Sequence, residues 1–282
     1  MNQQFTKMHG CGNDYLFFNC LENEIESPDI LARKLSPRRF SVGADGIVLI
    51  CKSNVADAKM RMFNADGSEG EMCGNAIRCV GKYLYERGFT DKRTLQIETL
   101  AGIKELKLNM QDGRVESVRV DMGRADFSPD AVGLASDTEY VDRMIDVNGT
   151  GYKLTALSTG NPHAIVYTSD PKTLKLDKLG PMLEKHPIFK NRINAGFVHI
   201  INESELEMRV WERGSGETLA CGTLACAAVA ASVKNGRLKP GIGVNVHLPG
   251  GTLTVECDPD FRIHMTGPAE FVYDATADTD IM

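Results

Sequence analysis

Two cysteines, Cys73 and Cys221, sit in surroundings suited to proton transfer. Each follows a loop rich in Gly, Ser and Glu and precedes a run with helical character. A thiol at a helix N-terminus feels free backbone N–H groups and the positive end of the helix dipole, which lowers its pKa from about 8.5 toward neutrality. The glycine after each cysteine, Gly74 and Gly222, lets the backbone approach a ligand closely. The N–H groups of each helix start form a cradle for a carboxylate or phosphate. A substrate carbon between two such cradles would meet one thiol on each face. One thiolate could remove a proton and the opposite thiol could return one, which inverts a stereocentre. Charge moving onto a substrate carboxylate would be stabilised by the two helix starts. No pyridoxal-phosphate signature is present, and a pair of thiols working without a cofactor is the economical reading.

The two cysteines belong to a repeat. Residues 60–79, MRMFNADGSEGEMCGNAIRC, align without a gap on 208–227, MRVWERGSGETLACGTLACA, at an offset of 148. Met60 meets Met208, Arg61 meets Arg209, Glu69 meets Glu217 and Cys73 meets Cys221. The same offset puts Gly12-Asn13 on Gly160-Asn161, each between short β-prone runs. Gly46-Ile-Val-Leu-Ile falls, two residues out, on Gly196-Phe-Val-His-Ile. Three blocks in one order predict a duplicated chain.

The elements that must carry these residues are many short strands and few helices. Strands are expected at 94–99, 103–109, 115–121, 243–248 and 252–257, and helices at 29–35, 73–87, 172–185 and 221–235. The pattern predicts an α+β fold of two pseudo-symmetric domains. Each would be a mostly antiparallel β-sheet or barrel wrapped around a central helix, with the site in the interdomain cleft. The Ala-rich run from Thr223 to Val233 is apolar nearly all round and suits burial inside a sheet. The N-terminal domain is expected over 1–124 and the C-terminal domain over 125–265, with 266–282 returning to the first as a strand.

Composition narrows the function. The chain has 282 residues, 32 Lys and Arg against 38 Asp and Glu, and a net charge of −6, so it has no electrostatic footprint for nucleic acid or an anionic membrane. The uncharged stretch from Thr218 to Val233 is short of the roughly 18 apolar residues of a membrane span. The N-terminus lacks a signal-peptide layout. These features predict a cytoplasmic protein with reduced thiols. Its eight cysteines show no C-x-x-C spacing. Cys79 and Cys226 read as helix core, Cys20, Cys51 and Cys257 as strand packing, and Cys11 as packing in a turn. His163 and His199, the extra candidates for a metal site, make no recognisable spacing with the cysteines, so no metal is expected.

The chain resembles the diaminopimelate epimerase family from end to end. The matching motifs are MHGCGNDYLFFNC (8–20), VGADGIVLI (42–50), MRMFNADGSEGEMCGNAIRC (60–79), STGNPHAIVY (158–167), RINAGFVHI (192–200) and VWERGSGETLACGTLACA (210–227). The resemblance implies an isomerase interconverting LL- and meso-2,6-diaminopimelate, a lysine and peptidoglycan precursor, without a cofactor. It implies Cys73 and Cys221 as the acid/base pair, with Cys221 the base in the LL-to-meso direction. His163 and Glu212 would help set the thiol protonation states. Gly74, Asn75, Gly222 and Thr223 would hold the carboxylate at the reacting centre. Asn13, Asn64, Asn161, Asn194, Glu212 and Arg213 would be further substrate contacts. Some family members carry glutamine at the place of Gly46, so Gly46 is expected to line the substrate pocket with rearranged distal contacts. A homodimer is expected on the same ground.

Residue chemistry agrees with this carry-over. Arg213 can grip a distal carboxylate bidentately, and amides both donate and accept. The alternative is a related cofactor-independent racemase of another amino acid such as histidine. Its substrate would lack the distal carboxylate and leave Arg213 without a partner. From a different class, a thiol redox protein would join Cys73 to Cys221 as a disulfide.

Overall fold

The protein is described as a computed structural model, and the structure describes residues 2–278. The chain divides into two compact units, Met1–Val120 with Gly267–Met282, and Asp121–Thr266.

The first unit opens with a hairpin, β1 (Asn2–Gly10) and β2 (Asn13–Cys20). Its two-residue loop, Cys11 and Gly12, has positive φ at both positions, the conformation whose twist matches an antiparallel pair. Helix α1 (Pro28–Leu35) crosses to β3 (Gly46–Cys51), which pairs parallel to β2. Strands β4 (Ala58–Asn64) and β5 (Glu69–Gly70) follow antiparallel. Helix α2 (Gly74–Glu86) then crosses to β6 (Thr94–Thr99), parallel to β4. Strands β7 (Gly102–Gln111) and β8 (Arg114–Arg124) continue as antiparallel neighbours.

The second unit repeats this order. Strand β9 (Arg143–Val147), preceded by the short helix α3 (Pro129–Val132), pairs with β10 (Thr150–Ser158). β10 forms a hairpin with β11 (Pro162–Tyr167). A 3-10 turn at Pro171–Thr173 and helix α4 (Leu176–Glu184) lead to β12 (Asn194–Asn202), parallel to β11. Strands β13 (Glu205–Glu212) and β14 (Gly216–Thr218) follow antiparallel. Helix α5 (Gly222–Lys234) crosses to β15 (Gly243–Leu248), parallel to β13. β16 (Gly251–Cys257) and β17 (Arg262–Gly267) close the run. Strand β18 (Glu270–Asp278) belongs to the first unit and pairs with β1. The end of the segment expected as a returning strand, 279–282, lies outside the described residues.

The expected α+β pattern is thus present, with one refinement. Each unit contains two parallel strand pairs among antiparallel ones. Parallel neighbours need a long crossover, and the four main helices supply it. The helix expected over 172–185 is split, because Pro171 starts a tighter turn before α4.

Registers also correct the reading of the repeat. Tyr15 stands opposite Gly46 on β2 and β3, and His163 stands opposite Asn194 on β11 and β12. Gly46 therefore corresponds to Asn194 at the same offset of 148, not to Gly196. The ungapped match of Gly-Phe-Val-His-Ile misled because both strands are apolar runs that begin with or contain a glycine.

Each unit buries its own core. In the first, Leu16, Phe18, Leu35, Ile47 and Leu49 pack together. In the second, Leu154, Val166, Leu183, Ile193 and Phe197 do so. Helix α5 is buried along Leu224–Ser232, packed against β10, β11, β12 and β16. Helix α2 is buried from Gly74 to Leu84 and packs on β1, β2 and β7. A rigid, water-poor wall around each helix is what fixes its N-terminus in place.

Candidate active site

Both cysteines are N-cap residues. Cys73 caps α2 with φ −130° and ψ 120°, and Cys221 caps α5 with φ −129° and ψ 114°. The near-identity of these angles in an extended conformation is a direct mark of duplicated local structure. The Cys73 sulfur accepts from the Ala76 N–H at 3.5 Å. The Cys73 thiol therefore takes the place of the Ser or Asp oxygen that usually satisfies an orphan donor at this position. At Cys221 the side chain makes no capping hydrogen bond of this kind, so the two caps share backbone angles but not this contact.

In the first unit, Asn13, Cys73 and Asn75 form one hydrogen-bonded group. The Cys73 thiol donates to Asn13 Oδ1 at 3.4 Å, and Asn75 Nδ2 donates to the same oxygen at 3.3 Å. Asn75 Oδ1 in turn accepts from Arg78 Nη2 at 2.8 Å. Arg78 is fully buried and also donates to the carbonyls of Gly74 at 2.8 Å and Pro268 at 3.0 Å. It thus pins the first turn of α2 to the segment before β18. Asn64, at the end of β4, stands opposite Gly46 and donates to Ser68 Oγ at 3.0 Å. Gly46 is buried, and a Cβ there would run into the Phe63 carbonyl oxygen and press on the Tyr15 ring. A glutamine cannot stand at this position without moving β4, so this chain presents backbone there.

In the second unit, Cys221 lies beside Glu212. Burial first, and the Glu212 carboxylate next, push the Cys221 thiol well above its ordinary range. This overturns the expectation that the helix N-terminus lowers it. Desolvation of a thiolate and a neighbouring negative charge outweigh one helix dipole. Thr218 Oγ1 donates to Glu212 Oε1, and Thr223 Oγ1 lies 3.4 Å from the Cys221 sulfur.

His163 is fully buried, and its Nε2 lies 2.7 Å from Asn161 Oδ1. Burial first, and the nearby Arg213 charge next, lower its pKa to about 3, so the ring is neutral at ordinary pH. With the amide oxygen accepting, the proton sits on Nε2. Nδ1 then presents a buried lone pair with no hydrogen-bond partner among the described residues. Asn194 clamps two segments: its Nδ2 donates to the Pro162 carbonyl at 2.9 Å and its Oδ1 accepts from the Arg213 N–H at 2.9 Å. One Arg213 guanidinium nitrogen donates to the Asn191 carbonyl at 3.0 Å.

The candidate residues thus fall into two groups, one in each unit. Asn13, Gly46, Asn64, Cys73, Gly74 and Asn75 lie in the first unit. Asn161, His163, Asn194, Glu212, Arg213, Cys221, Gly222 and Thr223 lie in the second. Sequence reasoning missed several supports. Tyr15 is buried with its hydroxyl in hydrogen-bonding contact with Cys73. Its signal was available, since the offset of 148 places it on His163. Asp45 and Thr218 hold Asn13 and Glu212. Glu184, also buried, accepts from Trp211 Nε1 at 2.8 Å and the Gly214 N–H at 3.3 Å, and so anchors the turn that carries Glu212 and Arg213.

A sequence model of the diaminopimelate epimerase family matches residues 5–128 and 155–272. The chain is 50% identical over 277 residues to a diaminopimelate epimerase of Acetivibrio thermocellus, covering 98% of each chain. It is 48% identical to one of Methanococcus maripaludis, covering 98% of this chain and 99% of the relative. Among solved structures, it is similar to a hydroxyproline epimerase from Agrobacterium vitis, with a TM-score of 0.74 at 17% identity over 99% of this chain and 93% of that one. It is also similar to a PhzF-family phenazine biosynthesis protein from Bacillus anthracis, with a TM-score of 0.72 at 18% identity over 99% of each chain. The structural likenesses show the two-domain α+β fold.

Proposed function

We propose that two thiols carry the reaction of this chain, which belongs to the diaminopimelate epimerase family. The enzyme is an isomerase that interconverts LL- and meso-2,6-diaminopimelate in lysine biosynthesis. What supports the two-thiol reading is one observation: Cys73 and Cys221 cap two helices with the same backbone angles at equivalent places in two similar units.

In the proposed sequence, the Cys221 proton passes to Glu212, which Thr218 holds in place. The Cys221 thiolate then removes the α-proton of the LL substrate, and its S–H bond forms as the C–H bond breaks. The electron pair moves toward the substrate carboxylate. N–H groups at the starts of α2 and α5 stabilise that charge without reorganising during the step. The Cys73 thiol delivers its proton to the opposite face of the carbon, giving the meso product and a Cys73 thiolate. Protons then redistribute to reset the pair, so the two thiols titrate as a coupled unit. The reaction is proposed to need no cofactor.

Asn13, Asn64, Asn75, Asn161 and Asn194 are proposed substrate contacts, with Gly46 lining the pocket. Arg213 is proposed to grip the distal carboxylate through its remaining guanidinium donors. His163, which stays neutral, is proposed to help set thiol protonation as a hydrogen-bond acceptor through Nδ1. Working free thiols suit a reducing compartment, which supports a cytoplasmic location. A homodimer is proposed by family likeness, and light scattering of the purified chain tests it.

The central test is α-proton exchange. Reduced protein is incubated in D₂O with LL-diaminopimelate, and separately with L-histidine and L-proline, and deuterium incorporation is followed by NMR. Incorporation confined to diaminopimelate is expected, with Cys73→Ser and Cys221→Ser each sharply reduced. Near-normal turnover in both serine variants would sink the two-base reading. Exchange with another amino acid alone would move the specificity.

A further inference from the structure

The surroundings of Cys73 contain a device with no counterpart at Cys221. Asn13 Nδ2 lies 2.7 Å from Asp45 Oδ2. An ionised carboxylate only accepts, so this contact fixes which end of the amide faces Asp45. The Asn13 carbonyl oxygen is thereby turned to the other side. There it accepts from the Cys73 thiol at 3.4 Å and from Asn75 Nδ2 at 3.3 Å.

Asp45 is itself held from several directions. Its Oδ2 also accepts from the Asp14 N–H at 3.2 Å, and its own N–H donates to the Asp14 carbonyl at 2.8 Å. Arg38 Nη2 bridges Asp45 Oδ1 at 2.7 Å and Asp14 Oδ1 at 2.5 Å. Lys7 Nζ lies 2.8 Å from Asp14 Oδ2. At the equivalent position of the second unit stands Ile193, which is fully buried and apolar. Asn161 there turns its oxygen to His163 instead. One duplicated asparagine thus serves a thiol and the other an imidazole, and Asp45 is what separates them.

We infer that Asp45 is a positioning residue that locks the Asn13 amide with its carbonyl toward Cys73, so that this thiol is kept protonated and ready to donate. A carbonyl oxygen stabilises S–H and opposes a thiolate, whereas a reversed amide would present N–H and favour the thiolate. The titratable groups of this unit that interact with Cys73 include the Tyr15 phenol from β2 and the Cys79 thiol further along α2. The Asp45 charge is also felt at Tyr15. The inference rests on the reading of Cys73 as an acid/base residue, and deepens it.

The test follows alkylation of Cys73 by iodoacetamide against pH, read on the Cys73 peptide by mass spectrometry. Asp45→Ala frees the amide, and the midpoint should fall by about one pH unit, or about tenfold faster alkylation below it. Asp45→Asn still offers an oxygen to Asn13 and should keep the wild-type midpoint. Arg38→Met removes the bridging charge but not the amide contact, and should also keep it. An unchanged midpoint in Asp45→Ala, or an equal shift in Arg38→Met, overturns the inference. Should Asp45→Ala fail to fold, Asn13→Ala carries the test, with the same fall expected and an unmoved midpoint decisive against it. Failure of the two-thiol reading shows separately, as near-normal LL-to-meso turnover in both Cys73→Ser and Cys221→Ser.

Discussion

Tyr15 and His163 occupy the same register position in the two units, each two residues after the asparagine of its Gly-Asn turn, with Tyr15 opposite Gly46 and His163 opposite Asn194. The duplication thus kept a titratable ring at this place and changed its chemistry. Tyr15 is held protonated, chiefly by burial and then by the charge of Cys73, and touches that sulfur as a donor. A phenol donating to sulfur favours the thiolate, the opposite of the Asn13 carbonyl. Tyr15→Phe should therefore raise the Cys73 alkylation midpoint by about one pH unit, where Asp45→Ala lowers it. Equal signs for the two variants would show that Tyr15 only fills space.

Thr218 and Glu212 give a second prediction. The Thr218 hydroxyl donates to Glu212 Oε1 and so orients the carboxylate beside Cys221. Thr218→Val keeps the shape and removes the donor. About a tenfold loss in kcat with little change in KM is expected, since one positioned proton acceptor contributes about 10²-fold or more. Thr218→Ser should restore most of it. A rise in KM with kcat intact would assign Thr218 to substrate binding.

The two helix-capping cysteines, the Gly-Asn turns and the repeat were legible because they are local: a cysteine before a helix and a glycine at positive φ write themselves into consecutive residues. The supports were not, because they act across strands. Asp45 reads as one turn residue in Gly-Ala-Asp-Gly until β2 and β3 bring it to Asn13. Glu184 ends α4 with no motif, yet its carboxylate meets Trp211 and Gly214 some 30 residues on. The raised Cys221 pKa was misjudged for a related reason. The helix dipole is visible in sequence, whereas the depth of burial that opposes it depends on the sheet around α5.

Burial of His163 sets a pH window for stability. The unfolded ring takes a proton near pH 6.5, and the folded ring only near 3. Below 6.5 the unfolded state binds more protons, so stability falls as pH falls toward 3. His163→Gln loses the ring's contacts at pH 8 and should lower Tm there, but its Tm should decline less steeply between pH 6.5 and 4 than that of the wild type. Parallel curves would mean that other groups govern the acid limb.

The repeated ion pairs make the last comparison. Arg61 meets Glu69, and Arg209 meets Glu217, each at 2.7 Å and each at the same place in the repeat. Sequence alone makes them equivalent, but their surroundings differ. Arg61 adds a stacking contact 5.1 Å from the Phe63 ring centre. Arg209 instead donates to the carbonyls of Pro171 and Leu174, at 2.9 Å each, and so ties β13 to the 3-10 turn. Its side chain is 20% exposed against 36% for Arg61. An exposed pair contributes about 0.5 kcal/mol, whereas stranding two carbonyls adds about 1 kcal/mol each. Urea denaturation should therefore find Arg209→Met costing about 2.5 kcal/mol and Arg61→Met about 0.5 kcal/mol. Equal losses would mean that the turn at Pro171 finds water or other donors once Arg209 is gone.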